Sequence, residues 1–203
     1  MSRVRMMSDE ELETYSDIMA PTKERLGFVP NSQRIMAHKP ELVVAYNELG
    51  KAVMLQTDKS IPPDLKYMIA NASSLAAGCN YCQAHTAGAS NLRGVEGDKV
   101  AAIFMFETSD LFTEDERAAL RFAQAASSVP NMVTEEDFEG LRKHFTEYQI
   151  VEIVSVVSMF GFLNRWNDTL ATPLEAEPIE FAEQYLADNG WDVGKHVNTE
   201  AAE

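Results

Sequence analysis

The sequence has few of the residues that would build a disulfide framework, bind a polyanion or cross a membrane. Two of its 203 residues are cysteine, and 17 lysines and arginines stand against 32 aspartates and glutamates. The resulting formal charge of −15 repels nucleic-acid phosphate and anionic membrane surfaces, so we expect neither as a partner. No apolar run approaches the roughly 20 residues that a membrane helix needs. The longest candidate, Ile150 to Leu163, is interrupted by Glu152, Ser155 and Ser158.

The rest of the composition is that of a folded protein of the cell interior. Hydrophobic residues make up 45% of the chain and charged residues 24%, which is enough apolar material for the core of one domain. The stretch from Met1 to Ser8 carries two arginines but lacks the apolar centre of a secretion signal. We therefore expect a cytoplasmic protein whose thiols are kept reduced.

Helix signals recur along almost the whole chain. Ser8, Thr113, Thr134 and Thr146 each begin a capping-box pattern, in which a polar N-cap residue precedes an acidic residue or glutamine three positions later. The last of these patterns opens a helix that we predict to run to Leu170. No segment shows the sustained alternation of a strand. The sequence therefore predicts an all-α protein.

A boundary near residues 57–60 divides the predicted helices. We expect an N-terminal helical arm over residues 1–59, a core domain over residues 60–175 and a C-terminal helix and tail over residues 176–203. The sequence leaves open whether the arm packs on its own chain or on a neighbouring copy. Within the core, Gly78 ends a long helix, so the residues after it begin a new one.

Both cysteines stand directly after that glycine, in the segment Ala76-Ala-Gly-Cys-Asn-Tyr-Cys-Gln-Ala-His-Thr86. The start of a helix favours negative charge because unpaired amide N–H groups and the helix dipole point there, and thiolate is the reactive form of cysteine. Three residues advance about 300° around an α-helix, so Cys79, Cys82 and His85 are each about 60° apart and share one side. We therefore predict that His85 exchanges a proton with Cys82.

The two cysteines have possible roles other than redox chemistry. Free cysteine behaves as a small hydrophobic residue, so two unrelated buried thiols are one alternative. Structural zinc needs four ligands; His85 is one candidate, but no second cysteine or histidine pair stands at ligand spacing, so we predict no metal. Covalent haem needs a histidine directly after the second cysteine, where Gln83 stands, and is excluded. We expect no cofactor, and the spacing of three favours a redox-active pair.

The segment from Ala77 to Ala87, within Pro62 to Asn91, resembles the core of the carboxymuconolactone decarboxylase superfamily in its alkylhydroperoxidase D-like (AhpD-like), peroxidase-related branch. The segment from Phe162 to Asp168 resembles the C-terminal helix of that group, so the similarity covers Ile61 to Leu174. The resemblance implies an AhpD-like helical fold, here with an N-terminal helical extension. It also implies a homo-oligomer, either a trimer or a hexamer, with a dimer as the alternative.

The resemblance further implies roles for individual residues. By position, Cys82 is the thiolate that attacks a peroxide, and Cys79 is the resolving thiol. The family's relay histidine stands four residues after the second cysteine, where this chain has Thr86, with His85 one residue earlier. The family's relay glutamate stands twelve residues before the first cysteine, where this chain has Tyr67. A phenol is ordinarily a poor base at neutral pH, so we expect Tyr67 to hydrogen-bond in the site or to pack in the core or an interface.

The remaining polar residues are predicted to serve the structure. His38, His144 and His196 have no partner at motif spacing, so we expect them at the surface or at helix caps. The segment from Asn164 to Asn167, late in an apolar helix, is expected to form a buried hydrogen-bond network or a subunit contact.

Three functions remain open from the sequence. The first is a thiol-dependent alkyl hydroperoxide reductase or disulfide oxidoreductase, whose Cys82 forms a sulfenic acid and whose Cys79 closes a disulfide that an external dithiol reduces. In that enzyme His85 shuttles the proton. The second is a cofactor-free decarboxylase-like enzyme that acts on a small carboxylated lactone, with Arg93 or Arg165 as the clamp for the acid. The third is a non-catalytic redox sensor or a structural oligomer whose disulfide regulates assembly.

Overall fold

The computed structural model describes residues 2–55, 58 and 60–198. That part of the chain forms eleven α-helices and three short 3-10 turns and contains no strand, which confirms the all-α prediction. Among these residues, none of the helices combines the length and the apolar character that crossing a bilayer requires. The helices are α1 (Asp9–Glu13), α2 (Ser16–Leu26), α3 (Asn31–Met36), α4 (Pro40–Met54), α5 (Pro63–Ala76), α6 (Asn80–Asn91), α7 (Gly97–Ala101), α8 (Glu114–Ser127), α9 (Glu135–Arg142), α10 (Glu147–Leu170) and α11 (Ala176–Tyr185).

The helix starts follow the capping boxes closely. Ser8, Thr113, Thr134 and Thr146 are the N-caps of α1, α8, α9 and α10, and each forms the reciprocal side-chain and backbone hydrogen bonds of that motif. Helix α10 ends at Leu170, as predicted. These four boundaries follow from local hydrogen bonding, which a sequence pattern can report.

Helix α5 lies at the centre of the molecule. It packs against α6, α8 and α10, and every residue from Met68 to Ser74 is buried. A helix that is buried on all sides is a core helix, and its end fixes where the next helix starts. Gly78 makes that turn with a φ of +68°, a left-handed conformation that glycine adopts without steric cost.

The N-terminal arm packs on its own chain, which answers the question that the sequence left open. Helix α4 contacts α10, and Leu12, Met19 and Val43 belong to the same hydrophobic core as the central helices. Residues 56, 57 and 59 lie outside the described residues, as do residues 199–203 of the predicted tail. The division into arm, core and tail therefore stays a prediction.

The C-terminal segment folds back over the start of α6. Helix α11 packs against α6 and α7, and the chain then returns to the first turn of α6. There the indole N–H of Trp191 donates to the carbonyl of Asn80 at 3.1 Å, and the amide of Asn80 donates to the carbonyl of Asp192 at 2.8 Å. The predicted tail thus covers the cysteine-bearing end of the helix.

A buried ion pair fastens α5 to α10. Lys66 Nζ lies 2.9 Å from Glu152 Oε1 and also donates to the carbonyl of Val53 at 2.9 Å. Glu152 accepts two further hydrogen bonds, from the amide of Ile61 at 2.9 Å and from the hydroxyl of Ser60. Burial acts to raise the pKa of Glu152, but these hydrogen bonds and the charge of Lys66 outweigh it and hold that pKa below its ordinary value.

Candidate functional site

The two cysteines form a hydrogen-bonded pair of reduced thiols at the start of α6. Cys79 is the N-cap residue of the helix, and both thiols are buried and free of a disulfide. A hydrogen bond from Cys82 lowers the pKa of Cys79, against the opposing effect of burial. Burial and the same hydrogen bond raise the pKa of Cys82 well above its ordinary value. The two thiols therefore ionise as a coupled pair, in which the hydrogen bond from Cys82 favours the thiolate form of Cys79.

The pair faces two different environments. Cys82 lines a cavity of about 120 Å³, and its sulfur accepts a hydrogen bond from the Asn167 side chain at 3.5 Å. Cys79 is not among the residues that line this cavity and instead lies beside Asp168 and His196. The idealised helix placed both cysteines and His85 on one side, whereas the structure brings Cys82 and His85 to one cavity and turns Cys79 away from it.

The cavity is small and mostly apolar. Its lining includes an aliphatic and aromatic set from three helices, namely Leu26, Tyr46, Met54, Met159, Phe160 and Leu163. Three of these residues come from the N-terminal arm, so the arm forms one wall of the site. An apolar cavity of about 150 Å³ in another protein accommodates benzene, so this volume suits an alkyl chain or a single small ring.

His85 is paired with a glutamate from the far end of the chain. Its Nε2 lies 2.7 Å from Glu175 Oε2, and 22% and 16% of the two side chains are exposed. Glu175 also accepts from the amide of Asn31 at 2.6 Å and from the hydroxyl of Tyr81 at 3.2 Å. Burial acts to raise the pKa of Glu175, but the positive charge of His85 and these hydrogen bonds lower it. The pair is therefore a preformed acid–base dyad at the cavity.

Glu175 supplies a carboxylate that the sequence analysis did not find. The family pattern places its glutamate where this chain has Tyr67, whereas the structure provides one 90 residues after His85, at the N-cap of α11. The segment around Glu175 holds two prolines and forms no motif with the cysteine segment, so the sequence did not mark Glu175 as a functional residue. Only the return of α11 onto α6 brings the carboxylate to the histidine.

Tyr67 and Thr86 also line the cavity, but each is engaged in other contacts. The guanidinium of Arg93 lies 4.8 Å from the centre of the Tyr67 ring and donates to its hydroxyl at 3.4 Å. The Thr86 hydroxyl donates to the carbonyl of Cys82 at 2.7 Å and accepts from Asn71 at 2.9 Å. Neither hydroxyl makes a hydrogen bond to a cysteine sulfur within the part of the chain that the structure describes.

The histidines predicted at the surface divide into two groups. His38 and His144 are exposed, and His38 Nε2 contacts the carbonyl of Arg5 at 2.8 Å. The expectation is wrong for His196, which is 1% exposed beneath the returning C-terminal segment. Burial lowers the pKa of its imidazole. No sequence pattern indicates this burial, because it comes from contacts between His196 and residues far away along the chain.

The segment from Asn164 to Asn167 contributes buried polar groups, as expected. Asn164 is 3% exposed and donates to the carbonyl of Ser73 at 3.4 Å, and Asn167 is 2% exposed and donates to the Cys82 sulfur. Arg165 lies on the wall of a separate groove of about 910 Å³ rather than in the cysteine cavity.

Comparisons with known proteins agree with this geometry. Residues 40–125 match the carboxymuconolactone decarboxylase family. The crystal structure of the debrominase Bmp8, as a cysteine-to-alanine variant in complex with 2,3,4-tribromopyrrole, has a TM-score of 0.83 and 35% identity, over 90% of this chain and 96% of that one. A peroxidase-related protein from Ralstonia eutropha JMP134, described as an alkylhydroperoxidase AhpD core, has a TM-score of 0.75 and 27% identity, over 89% and 95% of the two chains.

Curated sequence relatives have less specific names. The uncharacterized protein YnjA of Escherichia coli K12 is 28% identical over 97 residues, which is 48% of this chain and about half, 53%, of YnjA. The uncharacterized protein YdfG of Bacillus subtilis 168 is 25% identical over 134 residues, or 61% and 88% of the two chains. Taken with the all-α fold and the match to Bmp8, these findings show that the chain belongs to the carboxymuconolactone decarboxylase superfamily, among its AhpD-like members.

Proposed function

We propose that this protein is a dithiol-dependent reductase that removes an electrophilic atom from a small apolar substrate. The observation that carries the proposal is the hydrogen-bonded pair of Cys79 and Cys82, because the thiol of one member faces a cavity that is also lined by His85, the partner of Glu175. When the Cys82 proton passes to Cys79 along the hydrogen bond, the thiolate faces the cavity. The pair then supplies two electrons and becomes a disulfide.

Organic hydroperoxides are the first substrate class. The Cys82 thiolate attacks the terminal oxygen, the O–O bond breaks, and the alkoxide leaves and takes a proton as an alcohol. The resulting sulfenic acid condenses with the Cys79 thiol, which forms the disulfide and releases water. An external dithiol then reduces the disulfide. The likeness to AhpD-like peroxidase-related proteins supports this substrate class.

Small brominated aromatic rings are the second class, and two observations favour them. The cavity wall is aromatic and apolar, and the debrominase Bmp8 is 35% identical over 90% of this chain. In this reaction Cys82 attacks bromine, the electron pair of the C–Br bond stays on the ring carbon, and that carbon takes a proton. The Cys79 thiol then displaces bromide from Cys82 and closes the same disulfide, with loss of its proton.

The His85–Glu175 dyad has the same task in both reactions, since each leaving group needs a proton. His85 lines the cavity and Glu175 orients its ring, so His85 is the proton donor and Glu175 is its positioning residue. We place the reaction in the cytoplasm, where reducing dithiols regenerate the pair. We also expect a homo-oligomer, as the resemblance implied.

The decarboxylase alternative has less support. A carboxylated lactone needs a cation beside its acid group, and the described residues that line the cavity include no lysine or arginine. Of the two arginines considered, Arg93 stacks on Tyr67 and Arg165 lies in another groove.

The test is intact mass spectrometry of the reduced protein mixed with cumene hydroperoxide or with a tribrominated pyrrole, followed by thiol alkylation. We expect the wild type to lose two hydrogens with at least one substrate and to turn over with dithiothreitol, with the release of alcohol or bromide. Cys82→Ser should abolish both results, and Cys79→Ser should stop after one oxidation of Cys82. His85→Gln tests the part of His85 in the reaction. Its matched control is His144→Gln, which changes an exposed histidine.

Each result discriminates between the functions. Bromide release without alcohol release assigns the aromatic substrate, and the reverse assigns the peroxide. Disulfide formation with no turnover in dithiol supports the redox sensor instead. Turnover of a carboxylated lactone that survives loss of both cysteines would show that the reductase proposal is wrong.

A further inference from the structure

Cys79 has a second set of neighbours on the side away from the substrate cavity. One potential ligand atom from each of Cys79, Asp168 and His196 lies within 4.8 Å of the other two. Cys79 and His196 are 0% and 1% exposed, whereas Asp168, near the end of α10, keeps 38% of its side chain exposed. A thiol, a carboxylate and an imidazole therefore converge on one point that solvent reaches from the aspartate side.

The orientation of His196 is fixed by a backbone carbonyl. Its Nδ1 lies 2.8 Å from the carbonyl oxygen of Thr172, which only accepts hydrogen bonds, so Nδ1 carries the proton. In the neutral ring Nε2 then carries a lone pair; it is buried, makes no hydrogen bond and lies 4.0 Å from Asp168 Oδ1. A buried lone pair that faces a carboxylate is unfavourable unless a cation lies between them.

We propose that Cys79, Asp168 and His196 form a binding site for a thiophilic divalent metal ion of the Zn²⁺ type. Thiolate, imidazole and carboxylate are the ligands that zinc takes in proteins, and a site with three protein ligands leaves the fourth position to water. A ligating histidine commonly donates its other ring N–H to a carbonyl, as His196 does to Thr172. The three ligand atoms need to move about 1 Å closer together to reach the spacing of a tetrahedral zinc site. Asp168 is exposed and has the freedom to move.

Lys195 is the competitor for this site. Its Nζ lies 2.6 Å from Asp168 Oδ1, so the ammonium occupies the carboxylate that a metal ion would share. The side chains of Lys195 and Asp168 are 44% and 38% exposed, and ion pairs as exposed as this are weak. Asp168 also lines the groove of about 910 Å³, so its carboxylate is reached from solvent.

Metal binding would control the redox pair. A Cys79 thiolate bound to a metal ion is not available to close a disulfide with Cys82, so the ion protects the reduced state. Conversely, disulfide formation removes the sulfur ligand and releases the ion. This consequence rests on the proposed function, whereas metal binding itself is measured without any turnover.

The experiment titrates the reduced full-length protein with Zn²⁺ against a chromogenic chelator and with Co²⁺ as a spectroscopic probe. We expect one equivalent to bind, with a sulfur-to-cobalt charge-transfer band, and the oxidised wild-type protein to lose both signals. Cys79→Ser should remove the band, and Asp168→Asn should weaken binding about 100-fold. Cys82→Ser should keep the site, since its thiol is not one of the three ligands.

Two further variants test whether misfolding explains a loss of metal binding. Lys195→Gln removes the competing ammonium and should tighten binding about two- to fivefold, a gain that a damaged protein does not show. Asp110→Asn, away from the cluster, should bind like the wild type. The proposal is overturned if the reduced wild type binds no Zn²⁺, if the cobalt spectrum lacks a sulfur band, or if the oxidised protein binds equally well. Any of these results leaves the disulfide and turnover assays to decide the proposed function on their own.

Discussion

Two acid–base pairs, one buried and one half-buried, hold distant parts of this molecule together, and they differ in how far protein groups satisfy their hydrogen bonds. Lys66 and Glu152 join α5 to α10 with 0% and 10% of their side chains exposed, and Glu152 accepts two more hydrogen bonds from the start of the core. His85 and Glu175 join α6 to the start of α11 with 22% and 16% of their side chains exposed, and His85 lines a cavity. The first pair is closed to any ligand, whereas the second is open on the side where a substrate would lie.

The difference shows how the same kinds of charged side chain stabilise the fold in one place and are available for chemistry in another. A charge with every hydrogen bond satisfied by protein stabilises one arrangement and exchanges no proton with a substrate. A charge with one free side can move a proton, provided that neighbouring groups hold it in place. The neighbours that hold Glu175 are the amide of Asn31 and the hydroxyl of Tyr81.

The largest expected effect is on stability, at the closed pair. Glu152→Ala leaves the Lys66 ammonium buried without its carboxylate, so we expect the free energy of unfolding to fall by about 3–5 kcal/mol. Urea denaturation measures it. Glu147→Ala, an exposed glutamate at the start of the same helix, is the control and should change stability by less than about 0.5 kcal/mol. Equal effects of the two changes would contradict the assignment, and Lys66→Met combined with Glu152→Leu should restore most of the loss.

The next effect is on activity, at the open pair. Glu175→Gln keeps the shape of the side chain but removes the charge that orients His85, so we expect the rate of disulfide formation with substrate to fall about 100-fold. Stopped-flow mixing of reduced enzyme with the active substrate measures that rate. Glu177→Gln, an exposed residue of α11, should match the wild type. A wild-type rate in Glu175→Gln would show that the dyad has no part in proton transfer.

The third effect is the loss of stability in acid. The folded protein holds the pKa of Glu175 below its ordinary value of 4.5, so the charged carboxylate stabilises the fold at pH values above about 4.5, and this contribution is lost as the pH falls through the folded pKa. Glu175→Gln should therefore be about 1–3 kcal/mol less stable than the wild type at pH 7, with a smaller difference near pH 3. Urea unfolding at the two pH values checks the sign. A difference that grows in acid would contradict it.

The smallest effect is expected at Tyr67. Its ring is covered by Arg93, and its hydroxyl accepts a long hydrogen bond at 3.4 Å, so Tyr67→Phe keeps the stacking and removes little else. We expect less than about 0.5 kcal/mol of stability to be lost, and a rate within about twofold of the wild type. Steady-state kinetics with the dithiol measures the rate. A large loss would place the phenol in the proton pathway after all.

Local signals made the helices and the cysteine pair predictable. Capping boxes such as that at Thr146 are completed within four residues, and Gly78 sets the start of α6 by its own backbone preference. The spacing of Cys79 and Cys82 is also local, so a redox-active pair could be proposed from sequence. The direction in which each thiol faces could not be inferred from sequence. It depends on the elements that pack around α6, and an ideal isolated helix has none.

The sequence by itself determined the all-α class, five of the eleven described helix starts and the dithiol at the head of α6, because each depends on residues a few positions apart. Only the tertiary structure decided which carboxylate pairs with His85 and which groups surround Cys79. Glu175 reaches His85 across 90 residues, and His196 becomes buried beside Cys79 when the C-terminal segment closes over Asn80. Contacts of that range depend on the packing of whole helices, which no short pattern encodes.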